Sequence, residues 1–229
     1  MKLLYGLIDL FALAIPLAFS FHPKIKFYTT WKPLFKAIAL VAILFLTFDS
    51  LFTSWGVWNF NPRYLTGIHL FNLPLEEILF FVCIPYACLF TYFCINKFFD
   101  IRWNPRLENI LCLGLSLILL IVGLIFRQKI YTSTTLISTG LSCLLIKFAW
   151  RVDWFGKSVT VFGLLLIPFF LVNGILTGTG LTEPVVQYNN DQNLGIRVLT
   201  IPVEDFFYGF ELFLLNLFFF FRFGGKTTA

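Results

Sequence analysis

The 229-residue chain is 59% apolar and only 13% charged, with a mean hydropathy of +0.85. A soluble domain is about 45–50% apolar and about 25% charged, so one small core cannot hide this excess and lipid must solvate much of the chain. The net charge of +5 comes without a basic run, which argues against a nucleic-acid surface and makes the bases a guide to membrane topology.

Seven apolar spans are expected in chain order, at about Leu3–Ser20, Leu34–Ser54, Pro74–Ile95, Leu107–Phe126, Thr132–Trp150, Ser158–Gly178 and Pro202–Phe221. The first follows Lys2 but is long for a signal peptide, carries Asp9 and Pro16, and lacks a small-x-small cleavage pattern, so it reads as a helix of the mature protein. No linker or soluble domain fits between the spans. The expectation is an all-α membrane protein of about seven transmembrane helices, with residues 1–229 as one membrane domain.

Twelve bases fall after spans one, three and five and in the tail: Lys24, Lys26, Lys32, Lys36, Lys97, Arg102, Arg106, Lys147, Arg151, Lys157, Arg222 and Lys226. Five lie on the other side: Lys2, Arg63, Arg127, Lys129 and Arg197. This asymmetry predicts a cell-membrane protein with its N-terminus outside and its C-terminus in the cytoplasm.

An internal repeat is visible. Phe60-Asn61, Gly67-Ile68, Pro74, Glu76 and Glu77 match Tyr188-Asn189, Gly195-Ile196, Pro202, Glu204 and Asp205 at a constant spacing of 128 residues. Upstream, Asp49-Ser50-Leu51-Phe52-Thr53 resembles Asn173-Gly174-Ile175-Leu176-Thr177. Repeat one is then about 1–98, a linking helix about 99–130, and repeat two about 131–229. Matching spans lie four crossings apart, so the two three-helix repeats are parallel and are expected to share an axis along the membrane normal.

Cys83, Cys88, Cys94, Cys112 and Cys143 lie in apolar stretches without a Cys-x-x-Cys, and His22 and His69 stand alone. Neither disulfides nor a metal site is expected. No glycine-rich fingerprint marks a nucleotide or flavin cofactor, and no Asp-x-x-x-Asp pair marks bound magnesium.

The acids lie differently from the bases. Asp9, Asp49, Glu76, Glu77, Glu108, Glu204, Asp205 and Glu211, eight of the twelve, sit inside or at the mouths of apolar spans. Such groups face an interior site or cavity, and desolvation favours their protonated form. A protonated acid in a dry pocket suits protonation of a carbon–carbon double bond.

Proline followed by acids is also an ordinary helix start, since proline needs no N–H there and acids suit the positive dipole end. Two such starts, Pro74-Leu75-Glu76-Glu77 and Pro202-Val203-Glu204-Asp205, in matching positions favour a shared chemical role, which can coexist with capping. Adjacent acids point about 100° apart, so one of each pair can serve its helix start alone. Glu204, Tyr208 and Glu211 share one stripe, and Phe80 lies a turn beyond Glu76. Asp49 and Asn173 either support the acids or substrate, or merely cap or join helices. Phe80, Phe81, Phe206, Phe207 and Tyr208 are candidates to stabilise a carbocation, although most phenylalanines here will face lipid or pack helices.

Trp55-Gly56-Val57-Trp58 with Pro74-Leu75-Glu76-Glu77-Ile78-Leu79-Phe80-Phe81 resembles the first half of the cofactor-independent lycopene cyclases. Asn173–Gly178, Pro184-Val185-Val186-Gln187-Tyr188 and Ile201–Tyr208 resemble the second half. The halves are fused here, as in the archaeal members, and no phytoene synthase follows. The resemblance implies lycopene β-cyclisation, a redox-neutral isomerisation within carotenoid biosynthesis that needs no cofactor. Its carboxylates correspond to Glu76, Glu77, Glu204 and Asp205. It also implies lycopene as a lipophilic partner, a lipid surround, and association with other carotenoid-pathway enzymes. From the residues alone, a hydratase using the same cation and a proton-coupled transporter stay open. A retinal protein is disfavoured because span seven has no lysine.

Overall fold

A computed structural model describes residues 2–226. The described residues form seven α-helices: α1 (Leu4–Phe19), α2 (Trp31–Ser54), α3 (Leu75–Phe98), α4 (Pro105–Ile125), α5 (Ile130–Leu144), α6 (Phe155–Leu176) and α7 (Val203–Arg222). A π-turn, Leu145–Ala149, continues α5. Every expected span is recovered with its ends displaced by at most three residues, taking that π-turn with α5. Five helices are long and apolar enough to cross a membrane: α2, α3, α4, α6, and α5 with its π-turn. The apolar α1 is shorter, and α7 carries Glu204, Asp205, Glu211 and Arg222 in its 20 residues.

Local chemistry sets the ends. Pro74 and Pro202 occupy the N-cap positions of α3 and α7 in extended conformation, so each helix begins directly after its proline. Asn104 caps α4 through its side chain, which accepts from the N–H of Arg106 at 2.9 Å, with Pro105 next in the first turn. Near the end of α1, the Ser20 hydroxyl donates back to the Pro16 carbonyl.

The loops at the acid-bearing end hold short strands absent from the sequence expectation: β1 (Trp58–Phe60), β2 (His69–Leu70), β3 (Leu73–Pro74), β4 (Val186–Tyr188), β5 (Arg197–Val198) and β6 (Ile201–Pro202). Hairpins β2–β3 and β5–β6 are copies, pairing His69 with Pro74 and Arg197 with Pro202. Their turns repeat even the uncommon backbone. Phe71 and Leu199 both adopt the left-handed conformation, at φ 54° and 57°. Gly67 and Gly195 do so upstream at 89° and 73°, where a side chain would be strained.

The remaining strand pair relates the two repeats. β1 and β4 are antiparallel and pair Trp58 with Tyr188, Asn59 with Gln187 and Phe60 with Val186. Asn59 and Gln187 occupy equivalent repeat positions, so the pseudo-twofold axis passes between them. Asn61 N–H donates to Val185 O and Asn189 N–H to Val57 O, each at 2.8 Å. Such reciprocity marks a self-complementary contact. Below the ladder, α2 packs along α7 and α3 along α6, so each repeat completes the other. The parallel arrangement of two three-helix units with α4 as the link agrees with the sequence expectation.

Candidate active site

The acids at the two helix starts separate into two kinds. Glu76 and Glu204 turn back to their own loops. Glu76 Oε1 accepts from the N–H of Thr66 at 2.6 Å, and Glu204 Oε1 from the N–H of Leu194 at 2.7 Å, the same contact in each repeat. Glu204 also accepts from the Thr132 hydroxyl at 2.5 Å. Repeat one has Gly6 against Glu76 instead, and no hydroxyl there.

Glu77 and Asp205 turn inward. Tyr5 Oη donates to Glu77 at 2.6 Å and Tyr131 Oη to Asp205 at 2.6 Å, again as a matched pair. Asp49 lies against Glu77, while its counterpart Asn173 donates to Asp205 at 3.4 Å. Tyr208, from the opposite repeat, donates to Asp49 at 2.5 Å. Tyr188 donates to Asp205 at 3.0 Å. Burial, reinforced by Asp205, pushes the Tyr188 phenol well above its ordinary range, which keeps it a donor.

These contacts make one central cluster rather than two separate sites. Asp49 lies within electrostatic reach of Asp205, and Tyr188 within reach of Glu77 and Asp49. Asp49, Glu77, Asp205 and Tyr131 are all under 8% exposed. The surrounding wall is aromatic. Trp58 meets Tyr131 edge-on with centroids 5.2 Å apart and Tyr188 at 5.6 Å, and Phe45 meets Tyr208 at 5.0 Å. A ring whose electron-rich face is turned on a small space can stabilise a cation held there.

Asp49 and Glu77 are two buried carboxyl groups side by side. Asp205 has three side-chain partners, Tyr131, Tyr188 and Asn173, and each can donate. The two inner acids thus differ in company: a second carboxyl group stands beside Glu77, and hydroxyl and amide donors surround Asp205.

The other singled-out residues are placed as follows. Glu211 accepts from Ser138 at 2.6 Å, Ser142 at 2.7 Å and Thr139 at 3.3 Å, one turn along α7 from Tyr208. Phe80 meets the Tyr5 ring at 6.3 Å, and Phe81 packs on Phe45. Phe206 points away from the cluster onto Phe169 and Phe170. Glu108 belongs to another region, where it pairs with Lys147 at 2.8 Å and accepts from the N–H of Gly156. Asp9 is buried, with no partner for either oxygen among the described residues. All five cysteines are free, and no group of three or more His, Cys, Asp or Glu among the described residues is gathered as a metal site requires.

Tyr5, Tyr131 and Phe45 were not singled out in the sequence, and Trp58 and Tyr188 stood there only as members of motifs. One signal was available: Tyr5-Gly6 and Tyr131-Thr132 occupy matching places at the starts of α1 and α5.

The family model for lycopene cyclase matches residues 2–95 and again 128–223, one segment on each repeat. The chain belongs to the lycopene cyclase family. No curated protein and no solved structure matches it. The matched segments include the whole acid cluster of this family member and omit all of α4, which agrees with a linking role for that helix. Family membership brings with it a carotenoid substrate and association with a membrane.

Proposed function

We propose that the protein is a lycopene β-cyclase, an isomerase of carotenoid biosynthesis that closes β-ionone rings on the acyclic ends of lycopene. The observation that carries this reading is the gathering of three buried carboxyl groups, Asp49 beside Glu77 and within reach of Asp205, inside an aromatic wall.

In this reading the Asp49–Glu77 pair gives its proton to the terminal double bond of the acyclic end. The π electrons form the new C–H bond and leave a tertiary cation. The neighbouring double bond supplies the electrons for the ring-closing C–C bond, which moves the charge onto the ring. Asp205 takes a ring proton, and the electrons of that C–H bond become the ring double bond. One proton is gained and one lost, so the product is an isomer. Burial excludes the water that would otherwise capture the cation, and the aromatic groups support the charge while it lasts.

Glu76 and Glu204 act as positioning residues, holding the loops against the starts of α3 and α7. Tyr208 orients Asp49, and Asn173, Tyr131 and Tyr188 orient Asp205. Glu211 and Phe80 support the substrate-facing side. The same reading takes residues 1–229 as one membrane domain in the cell membrane, with the acid-bearing end outside and the C-terminus cytoplasmic, as the basic residues indicate. Proximity to other carotenoid-pathway enzymes would suit a substrate confined to lipid.

Expression in a lycopene-accumulating bacterium tests the reading through the pigments formed. β-Carotene or monocyclic γ-carotene is the expected result. Hydroxylated acyclic products would point to a hydratase instead, and unchanged lycopene beside folded, inserted protein would overturn both.

A further inference from the structure

A cleft runs between α2, α5 and α7, bordered by Leu44 and Phe48 on α2, Thr134 and Ser138 on α5, and Tyr208 and Glu211 on α7. We propose that it is the lateral port through which the acyclic end of a long-chain isoprenoid enters from lipid to reach the acid cluster. The proposal rests on the cyclase reading and adds a route and a side to it.

Three observations converge on this cleft. Its lips lie on helices apolar enough to cross a membrane, and Leu44 and Phe48 are 45% and 39% exposed, so its mouth faces lipid. Its floor carries a polar patch within a mostly apolar lining. Glu211, 6% exposed, is held by Ser138 and Ser142, and the buried Thr135 hydroxyl beside them has no partner among the described residues. α5 is the least apolar of the five candidate spans, and its Thr134 and Ser138 border this cleft. Finally, the floor is continuous with the cluster, because Tyr208 lines the cleft and donates to Asp49. A flexible hydrocarbon end entering between Phe48 and Thr134 therefore meets the Asp49–Glu77 pair through a single side chain.

The other repeat is furnished differently. The positions matching Thr134, Ser138, Tyr208 and Glu211 are Ile8, Ala12, Phe80 and Cys83, while Thr135 is matched by the buried acid Asp9. The port proposed here is the one that leads past Tyr208 to Asp49.

The occupant is an acyclic polyene, and lycopene is the probe. Protein purified from lycopene-containing membranes is assayed for retained pigment and, separately, for ring formation. Thr134→Trp and Leu44→Trp fill the mouth from opposite lips, and each is expected to lower retained lycopene and cyclisation by about tenfold or more. Leu10→Trp, on the lipid-exposed side of α1, leaves both unchanged. If a tryptophan variant fails to fold, Thr134→Cys blocked after folding with a bulky maleimide replaces it.

Retention and cyclisation at the wild-type level in the plugged forms would overturn the port. So would a wild-type protein that retains no lycopene. Retained lycopene that the plugs remove, with no ring formed by any form, would uphold the port and overturn the cyclase reading.

Discussion

The two repeats share a backbone and differ in the side chains around their acids. Both start a helix with proline and two acids, both spend the first acid on their own loop, and both aim a tyrosine from the preceding helix start at the second. They part at the next partner. Repeat one sets Asp49 against Glu77, whereas repeat two sets Asn173 against Asp205. The carboxyl group beside one inner acid is an amide beside the other. Duplication supplied two similar scaffolds, and small substitutions gave their inner acids different neighbours.

The comparison breaks first at its inner acids. Glu77→Gln and Asp205→Asn are each expected to lower ring formation by about 100-fold or more, the scale of lost general acid or base catalysis, read as product per folded protein. Activity near wild type in either would remove that side's assigned role. Tyr208→Phe removes the contact across the repeats and leaves Asp49 in place. About a tenfold loss of rate is expected, with retained lycopene unchanged; a loss of retention alone would make Tyr208 a packing residue.

The outer acids sharpen the division. The sequence pattern alone gives Glu204 and Asp205 equal claims, but Glu204 is engaged with Leu194 and Thr132. Glu204→Gln keeps an acceptor oxygen for them, so it is expected to keep activity within about tenfold of wild type. An effect equal to that of Asp205→Asn would return Glu204 to the catalytic set. The smallest effect tests the pairing of Gly6 with Thr132. Thr132→Gly is expected to destabilise the protein by about 1–2 kcal/mol, from the lost hydroxyl contact and the glycine in a helix. Gly6→Thr has space beside Glu76, whose Cγ stands 3.7 Å from an added Cβ, and is expected to recover part of that in repeat one. Thermal unfolding in detergent reads both.

Much of this was legible in the sequence. Hydropathy located the seven helices because lipid demands long apolar runs, and the fixed spacing from Phe60 to Glu77 revealed the duplication because turn and cap residues resist change. The inner and outer acids were not separable, since adjacent helix positions differ only in direction and the loop contacts of Glu76 and Glu204 are made through backbone N–H groups that any residue supplies. Tyr188 and Tyr208 were harder to place in the cluster than Glu77, because each acts on an acid through tertiary contact. The β1–β4 ladder was hidden for the same reason: three-residue strands carry little pattern, and their pairing crosses the whole chain.

Ring closure by this route carries a water-exchangeable carboxyl proton into the product. Protein reconstituted in lipid and equilibrated in deuterium oxide, then given lycopene, tests this by the mass of the carotene formed. One deuterium per ring is expected in the wild type, and no ring in Glu77→Gln. Cyclised product carrying no deuterium would overturn the proposed proton transfer.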